Sequence, residues 1–270
     1  MIGNDRVKTM SEVLKNHWPE YVIEGASLGL FMISAFTFGT ILEHPASPVH
    51  RALPQPLFRR FLMGLAMGST AIAIIYSPWG KRSGAHINPS TTLTFFRLGK
   101  IDKWDAMFYV ASQFIGGLIG AISAAVALSA WVSHPAVNYV VTMPGAAGAF
   151  VALIAEMAIA FILMTVVLRV SSTPRLHKFT GLCAGILVAI YITVEAPISG
   201  MSMNPARTFA SAVPAHHWAY LWIYFLGPVI GMAFAAEIYL RTRSVTSVLC
   251  AKLHHQNTQR CIFCGKPAGV

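Results

Sequence analysis

The sequence predicts an all-α integral membrane protein: six transmembrane helices and two short re-entrant half-helices, related as an inverted repeat. Three observations carry this expectation. Hydrophobic residues make up 55% of the 270 and charged residues only 11%, against roughly 25% charged in a soluble domain, and the mean hydropathy is +0.59. Apolar blocks of about 20 residues, enough to cross roughly 30 Å of hydrocarbon as helix, recur along nearly the whole chain. Finally, SGAHINPSTT at 83–92 returns as SGMSMNPART at 199–208, identical at five of ten positions and each time after a long apolar run.

Residues 1–17, MIGNDRVKTMSEVLKNH, are polar and lack the apolar core and small-residue cleavage site of a secretory signal. They are expected to form an N-terminal cytoplasmic segment, with the first span acting as its own insertion signal. Spans are expected at 22–42, 58–78, 104–131, 149–170, 178–196 and 218–240. Residues 18–240 thus form the membrane domain, its halves at about 18–135 and 145–240, and 241–270 form a cytoplasmic tail.

The net charge of +10 raises the question of nucleic acid, which its distribution answers. Of 20 Lys and Arg, 16 fall in four alternate connections: Arg6, Lys8 and Lys15; Lys81, Arg82, Arg97, Lys100 and Lys103; Arg169, Arg175 and Lys178; Arg241, Arg243, Lys252, Arg260 and Lys266. Six spans put all four segments on one side, which the positive-inside rule makes cytoplasmic. The charge therefore orients the protein and no nucleic-acid partner is expected. Arg51, Arg59 and Arg60 run against this pattern in the first external loop.

The repeated phrase opens NPSTTLTFFRL (88–98) and NPARTFASAV (204–213), each too short to cross. Asn88 and Asn204 suit the N-cap, and Pro89 and Pro205 suit the first helical position, where a missing N–H costs nothing. Two such helices of roughly 15 Å, entering from opposite faces, meet at the midplane. FIGGLIGA (114–121) also resembles FLGPVIGM (225–232), and IEGASLGLFMISAF (23–36) has a counterpart in AEMAIAFILMTVVL (155–168). Each half holds three spans, an odd number, so the second half must be inserted upside down.

Paired Asn-Pro motifs, NPS at 88–90 and NPAR at 204–207, together with Glu24, Glu156, Gln113 and Gly-x-x-x-Gly pairs, resemble the aquaporin and aquaglyceroporin family over about residues 20–240. The resemblance implies a channel and not an enzyme. It also implies a homotetramer in the cell membrane, each protomer with its own pore, no cofactor needed for transport, and both termini cytoplasmic. Ser90 departs from the family, which most often has Ala there; Ala206 keeps the common residue.

Physically, two converging half-helix N-termini face unpaired N–H groups and positive dipole ends toward one narrow point, which repels cations. Asn88 and Asn204 can each offer a side-chain N–H to a passing oxygen. Arg207 is the basic residue beside the outer half-helix, where a charge is costly and usually functional. The resemblance implies an outer constriction containing Arg207 and, by counting from the motifs, Gly68, Ile192 and Met201. Such a ring leaves space and an apolar wall, so glycerol is expected to cross beside water, its carbons on Ile192 and Met201 and its hydroxyls on Arg207 and the two Asn residues.

Glu24 and Glu156, repeat-related, are expected to accept hydrogen bonds from the irregular backbone before each half-helix. Glu195 is expected in a solvated vestibule and Glu237 at the interface. Gly116, Gly120, Gly227 and Gly231 let helices approach closely; His86 holds its loop, and Cys183 is a small apolar filler. In the tail, CAKLHHQNTQRCIFCGKP, Cys261-x-x-Cys264 can turn around a tetrahedral ion, with Cys250 and His254, or His255 beside it, as the other ligands. A structural zinc is expected, since a reducing cytoplasm disfavours disulfides.

A passive channel for water and small neutral solutes is thus the expectation. A secondary carrier is the alternative, since inverted repeats with broken helices are also the carrier plan. A metal- or redox-sensing tail would add gating to the channel.

Overall fold

The computed structural model describes residues 9–269, and every regular element among them is helical. The first helix, α1 (Met10–Glu43), is opened by a capping box in which Thr9 and Glu12 satisfy each other's backbone N–H groups. Because that cap lies so early, the stretch expected as a separate polar segment up to residue 17 is helical from Met10 onward; its residues 1–8 lie outside the described residues.

There follow α2 (Pro48–Ala52), α3 (Pro56–Tyr76), α4 (Pro78–Ser83), α5 (Pro89–Arg97), α6 (Lys103–Leu128), α7 (Ala130–Ser133) and α8 (Gly148–Ser171). The second half continues with α9 (Thr180–Val194), α10 (Ala196–Ser199), α11 (Pro205–Ala215) and α12 (Leu221–Thr242). Pro opens α2 to α5 and α11, where its fixed φ suits the first turn and no hydrogen bond is lost. Six helices are long and apolar enough to cross a membrane: α1, α3, α6, α8, α9 with its leading 3₁₀ turn, and α12. The third ends at Leu128 and not at 131, because Ser129 leaves helical geometry at φ 50°. The sixth starts at Leu221 and not at 218, after left-handed Tyr220.

The two halves repeat one packing plan. α1 lies along α6 and α8 along α12, while α3 of the first half lies along α9 of the second. Glycines make these approaches. A Cβ on Gly25 or Gly29 would strike the α6 backbone at Ser112 or Gly116, and one on Gly231 would strike the α8 backbone at Met157. Each half-helix packs against the last span of the opposite half, α5 on α12 and α11 on α6, so the halves interlock through them.

Large apolar side chains remain exposed around the outside, Val126 at 76% and Phe150 at 72% among them. In water such a surface would aggregate; facing lipid it is the expected solvent match. Two of the three arginines that run against the charge pattern, Arg51 and Arg59, are bound within the loop between α1 and α3, while Arg60 donates to the Thr193 carbonyl. Buried Arg59 pairs with Glu43 (3.1 Å) and donates to the carbonyls of Leu53 and Pro54, and Arg51 donates to those of Pro45 and Ala46. These guanidinium groups are spent on holding the loop.

Candidate functional site

A cavity of about 290 Å³ runs between the halves, lined by side chains from α1, α3, α8 and α9 and by the loops that lead into α5 and α11. Its polar centre is built by the two Asn residues. Asn88 caps α5, its Oδ1 accepting from the Ser90 N–H at 2.9 Å, and Asn204 caps α11, accepting from Ala206 and Arg207 at 3.1 and 3.2 Å. Each also reaches into the opposite half. Asn88 Nδ2 donates to the Met203 carbonyl at 2.6 Å and Asn204 Nδ2 to the Ile87 carbonyl at 2.7 Å. An amide carries two N–H groups, so one remains on each Asn toward the cavity that both line.

The loops before the half-helices are unusual backbone, and they match. Gly84 (φ 106°), Ala85 (54°) and Ile87 (43°) correspond to Gly200 (84°), Met201 (51°) and Met203 (53°), all left-handed. For non-glycine residues this conformation costs about 1–3 kcal/mol each and persists only when surrounding contacts impose it. Those contacts come in pairs. The Ala85 N–H donates to Ser83 Oγ and the Met201 N–H to Ser199 Oγ, both at 3.1 Å. Tyr109 Oη donates to the Ser83 carbonyl at 2.6 Å and Tyr224 Oη to the Ser199 carbonyl at 2.5 Å. Sequence reasoning missed both tyrosines; the Ser-Gly opening of each repeated phrase was the available signal for their partners.

Buried carboxylates complete the support. Glu24 Oε1 accepts from the Ile87 N–H and from Gln113 Nε2. Glu156 accepts from Ser199 Oγ, the Ser202 N–H and the Met203 N–H, all at 2.7 Å. Pro89 and Pro205 sit at the first helical position of α5 and α11; Ser90 and Ala206 are buried behind them. Ser90 Oγ has no partner among the described residues.

Of the expected constriction, Ile192, Met201 and Arg207 line the cavity. One guanidinium nitrogen of Arg207 is buried without a partner among the described residues, while the residue itself lines the cavity. Gly68 does not line the cavity and is corrected. A Cβ there would meet the Gly185 carbonyl and Ala189 on α9, so Gly68 makes the α3–α9 contact. Met67 and, one turn earlier, Met63 line the cavity in its place. One residue rotates the helical position by about 100°, and the helical turn α4 lies inside the stretch over which the count from Asn88 was made.

Glu195 is also corrected: it is 6% exposed with both oxygens unpartnered among the described residues, and not solvated. The turn α10 that follows it packs on α8 and α9 and encloses the position. Glu237 is part-exposed and pairs with Arg97 at 2.7 Å. His86 is buried. Its Nε2 lies 2.8 Å from the Ala251 carbonyl and must donate there, so in the neutral ring Nδ1 accepts from Thr92 Oγ1 at 3.0 Å.

In the tail, one ligand atom each from Cys250, His255, Cys261 and Cys264 lies within 4.8 Å of all the others. The histidine is His255 and not His254, whose ring instead packs on Tyr76 at 5.1 Å. Cys250 and Cys261 sulfurs stand 3.4 Å apart and His255 Nε2 is 3.2 Å from Cys264 Sγ. The tetrahedral edge for metal–sulfur bonds of about 2.3 Å is roughly 3.8 Å, so the set needs little adjustment to close on an ion. The Cys250 thiol beside it holds the Cys261 thiol well below its ordinary range.

Residues 15–239 match the family model described as Major intrinsic protein. "Aquaporin NIP2-2" of Zea mays is 38% identical over 177 residues, 65% of this chain and 58% of that one. "Probable aquaporin NIP-type" of Nicotiana alata is 34% identical over 184 residues, 67% of this chain and 66% of that one. The chain thus spans 58% and 66% of the length of these two plant relatives. "Probable aquaporin AqpM" of Archaeoglobus fulgidus is 33% identical over 186 residues, 66% of this chain and 75% of that one. The fold is that of the X-ray structure of the aquaglyceroporin from Plasmodium falciparum: TM-score 0.68 at 18% identity, covering 87% of this chain and 100% of that one.

Proposed function

The chain belongs to the major intrinsic protein family, and we propose from that premise that it is a passive channel for water and small neutral solutes such as glycerol. The observation that carries the reading is the convergence of two helix N-termini on one cavity. Asn88 and Asn204 each keep an N–H for a passing oxygen there, and the positive helix ends exclude cations. Nearer the outside, Met63, Met67, Ile192 and Met201 offer apolar contact to carbon while Arg207 offers a donor to oxygen. A polyol keeps its hydroxyls bonded and its carbons against the wall, which is what desolvated passage requires. Each protomer holds its own pore in a homotetramer of the cell membrane, with both termini cytoplasmic. The tail's Cys250, His255, Cys261 and Cys264 hold one zinc ion, which transport itself does not require.

Swelling of proteoliposomes in water, glycerol, urea and larger polyols tests this reading. Glycerol flux equal to that of protein-free vesicles would defeat the glycerol assignment. Met67→Trp is expected to cut glycerol flux more than water flux, because it fills space beside the apolar wall. The carrier alternative has one feature in its favour, the carboxylate of Glu195, which has no partner among the described residues. Flux that an uncoupler or a Glu195→Gln change leaves intact would remove it.

A further inference from the structure

The tail does not hang from α12; it folds back against the loop that feeds the first half-helix. The Leu253 N–H donates to the Gly84 carbonyl at 3.1 Å, and His86 holds the Ala251 carbonyl. Phe263 lies parallel to the His86 ring, centroids 5.6 Å apart. Lys252 is 1% exposed, its Nζ donating to the carbonyls of Lys81 and Arg260, and Arg260 in turn pairs with Glu20 of α1 at 2.6 Å. These are contacts with three separate elements of the membrane domain.

One tail residue enters the cavity itself. Leu253, 6% exposed, lines it together with Ile75, Ala85, Val167 and Ala184, an apolar girdle on the side of the first half-helix loop. Leu253 lies between Cys250 and His255, so two of the four converging ligands bracket it. Closing this loop on an ion fixes the backbone on both sides of the Leu253 side chain. Other anchors hold the base of the tail, Arg260 gripping buried Glu20 through two hydrogen bonds and Lys252 donating to two carbonyls, but only the ligand set brackets Leu253 on both sides, and metal closure of a small motif is itself a folding free energy.

We propose that zinc held by Cys250, His255, Cys261 and Cys264 keeps the tail seated as a plug on the cytoplasmic mouth, with Leu253 as the residue that narrows it, so that metal loss opens the pore. The proposal rests on the channel reading above. It makes zinc a regulator of conductance and not only a fold support.

The test uses the full chain in proteoliposomes, scoring zinc per chain by elemental analysis and glycerol swelling rate on the same preparations. Five samples are compared: protein as purified, protein stripped with a chelator before reconstitution, stripped protein given zinc back, Cys261→Ser with Cys264→Ser, and Leu253→Ala. Stripped protein and the double variant are expected to lack zinc and to swell vesicles several-fold faster, and restored zinc should slow the stripped protein again. Leu253→Ala should keep its zinc, swell vesicles faster, and respond neither to chelator nor to zinc. Protein that neither carries nor takes up zinc would overturn the proposal, as would equal rates with and without the metal. Slower swelling after stripping would also overturn it, showing that the tail supports the pore. If every sample, Leu253→Ala included, swells no faster than protein-free vesicles, the channel reading fails and takes the plug with it; swelling above that baseline but indifferent to zinc removes the plug alone.

Discussion

The loop at 83–88, the inner one in the orientation proposed above, and the loop at 199–204, the outer one, share one backbone and differ in what surrounds it. Both carry three left-handed residues, a Ser–Tyr clamp and a buried carboxylate. Apart from the Asn88 bond, the outer loop is closed by its own half and by Thr142 in the connection that precedes it. Ser202 bonds Thr208, Thr208 bonds Thr142, and all the acceptor capacity shown by Glu156 goes to residues 199–203. The inner loop is completed from elsewhere. Where the outer loop has Ser202, it has His86, whose second nitrogen is satisfied only by the tail, and Glu24 shares its one bonded oxygen between Ile87 and Gln113. A duplicated frame is thus tied mainly to nearby residues at one loop and to a distant segment at the other.

The largest expected effect falls where the two loops are alike. Asn204→Asp and Asn88→Asp each remove the donor to the opposite half and place a buried charge at the meeting point. Both should lower flux by about an order of magnitude or more, since 1.4 kcal/mol of added barrier already gives tenfold, while leaving membrane abundance unchanged. Stopped-flow swelling at equal protein density checks it; a strong loss in one and not the other would break the equivalence.

The carboxylates should separate the loops. Glu156→Leu orphans three donors and Glu24→Leu two, at about 1–3 kcal/mol for each buried donor left unmet. Thermal unfolding in detergent should therefore show the larger loss for Glu156→Leu. Equal losses would mean that Glu24 Oε2, without a partner among the described residues, does more than the hydrogen bonds suggest.

The smallest effect sharpens the point about the tail. Thr92→Val removes the hydroxyl that His86 Nδ1 accepts from, and Thr208→Val removes the corresponding outer hydroxyl. Each should cost on the order of 1 kcal/mol, but only Thr92→Val should speed proteolysis between residues 244 and 260, because only that hydroxyl orients the ring holding Ala251. Equal protection of the tail in both variants would detach it from the inner loop.

Much of this molecule is legible in its sequence. Apolar runs of membrane length, Asn-Pro at a helix start and a doubled phrase are local signals, read within a few turns of chain, and they placed the six spans, both half-helices and the inversion between halves. Asn88, Asn204, Glu24 and Glu156 could be singled out for the same reason, since an N-cap or a repeated buried acid is marked by its immediate neighbours.

What the sequence by itself determined, then, is which segments are long and apolar enough to cross a bilayer, how the two halves are inverted, and which side chains start the half-helices. Tertiary structure alone decided the rest. That Gly68 abuts Gly185 while Met67 faces the cavity depends on helical phase, and a single residue turns a side chain by about 100°. That Glu195 is enclosed, that His255 joins the cysteines, and that Leu253 reaches a cavity walled by residues from 31 to 207 depend on segments brought together from far along the chain. Local chemistry specifies an element and its ends; which face it turns inward is set by the neighbours it meets only after folding.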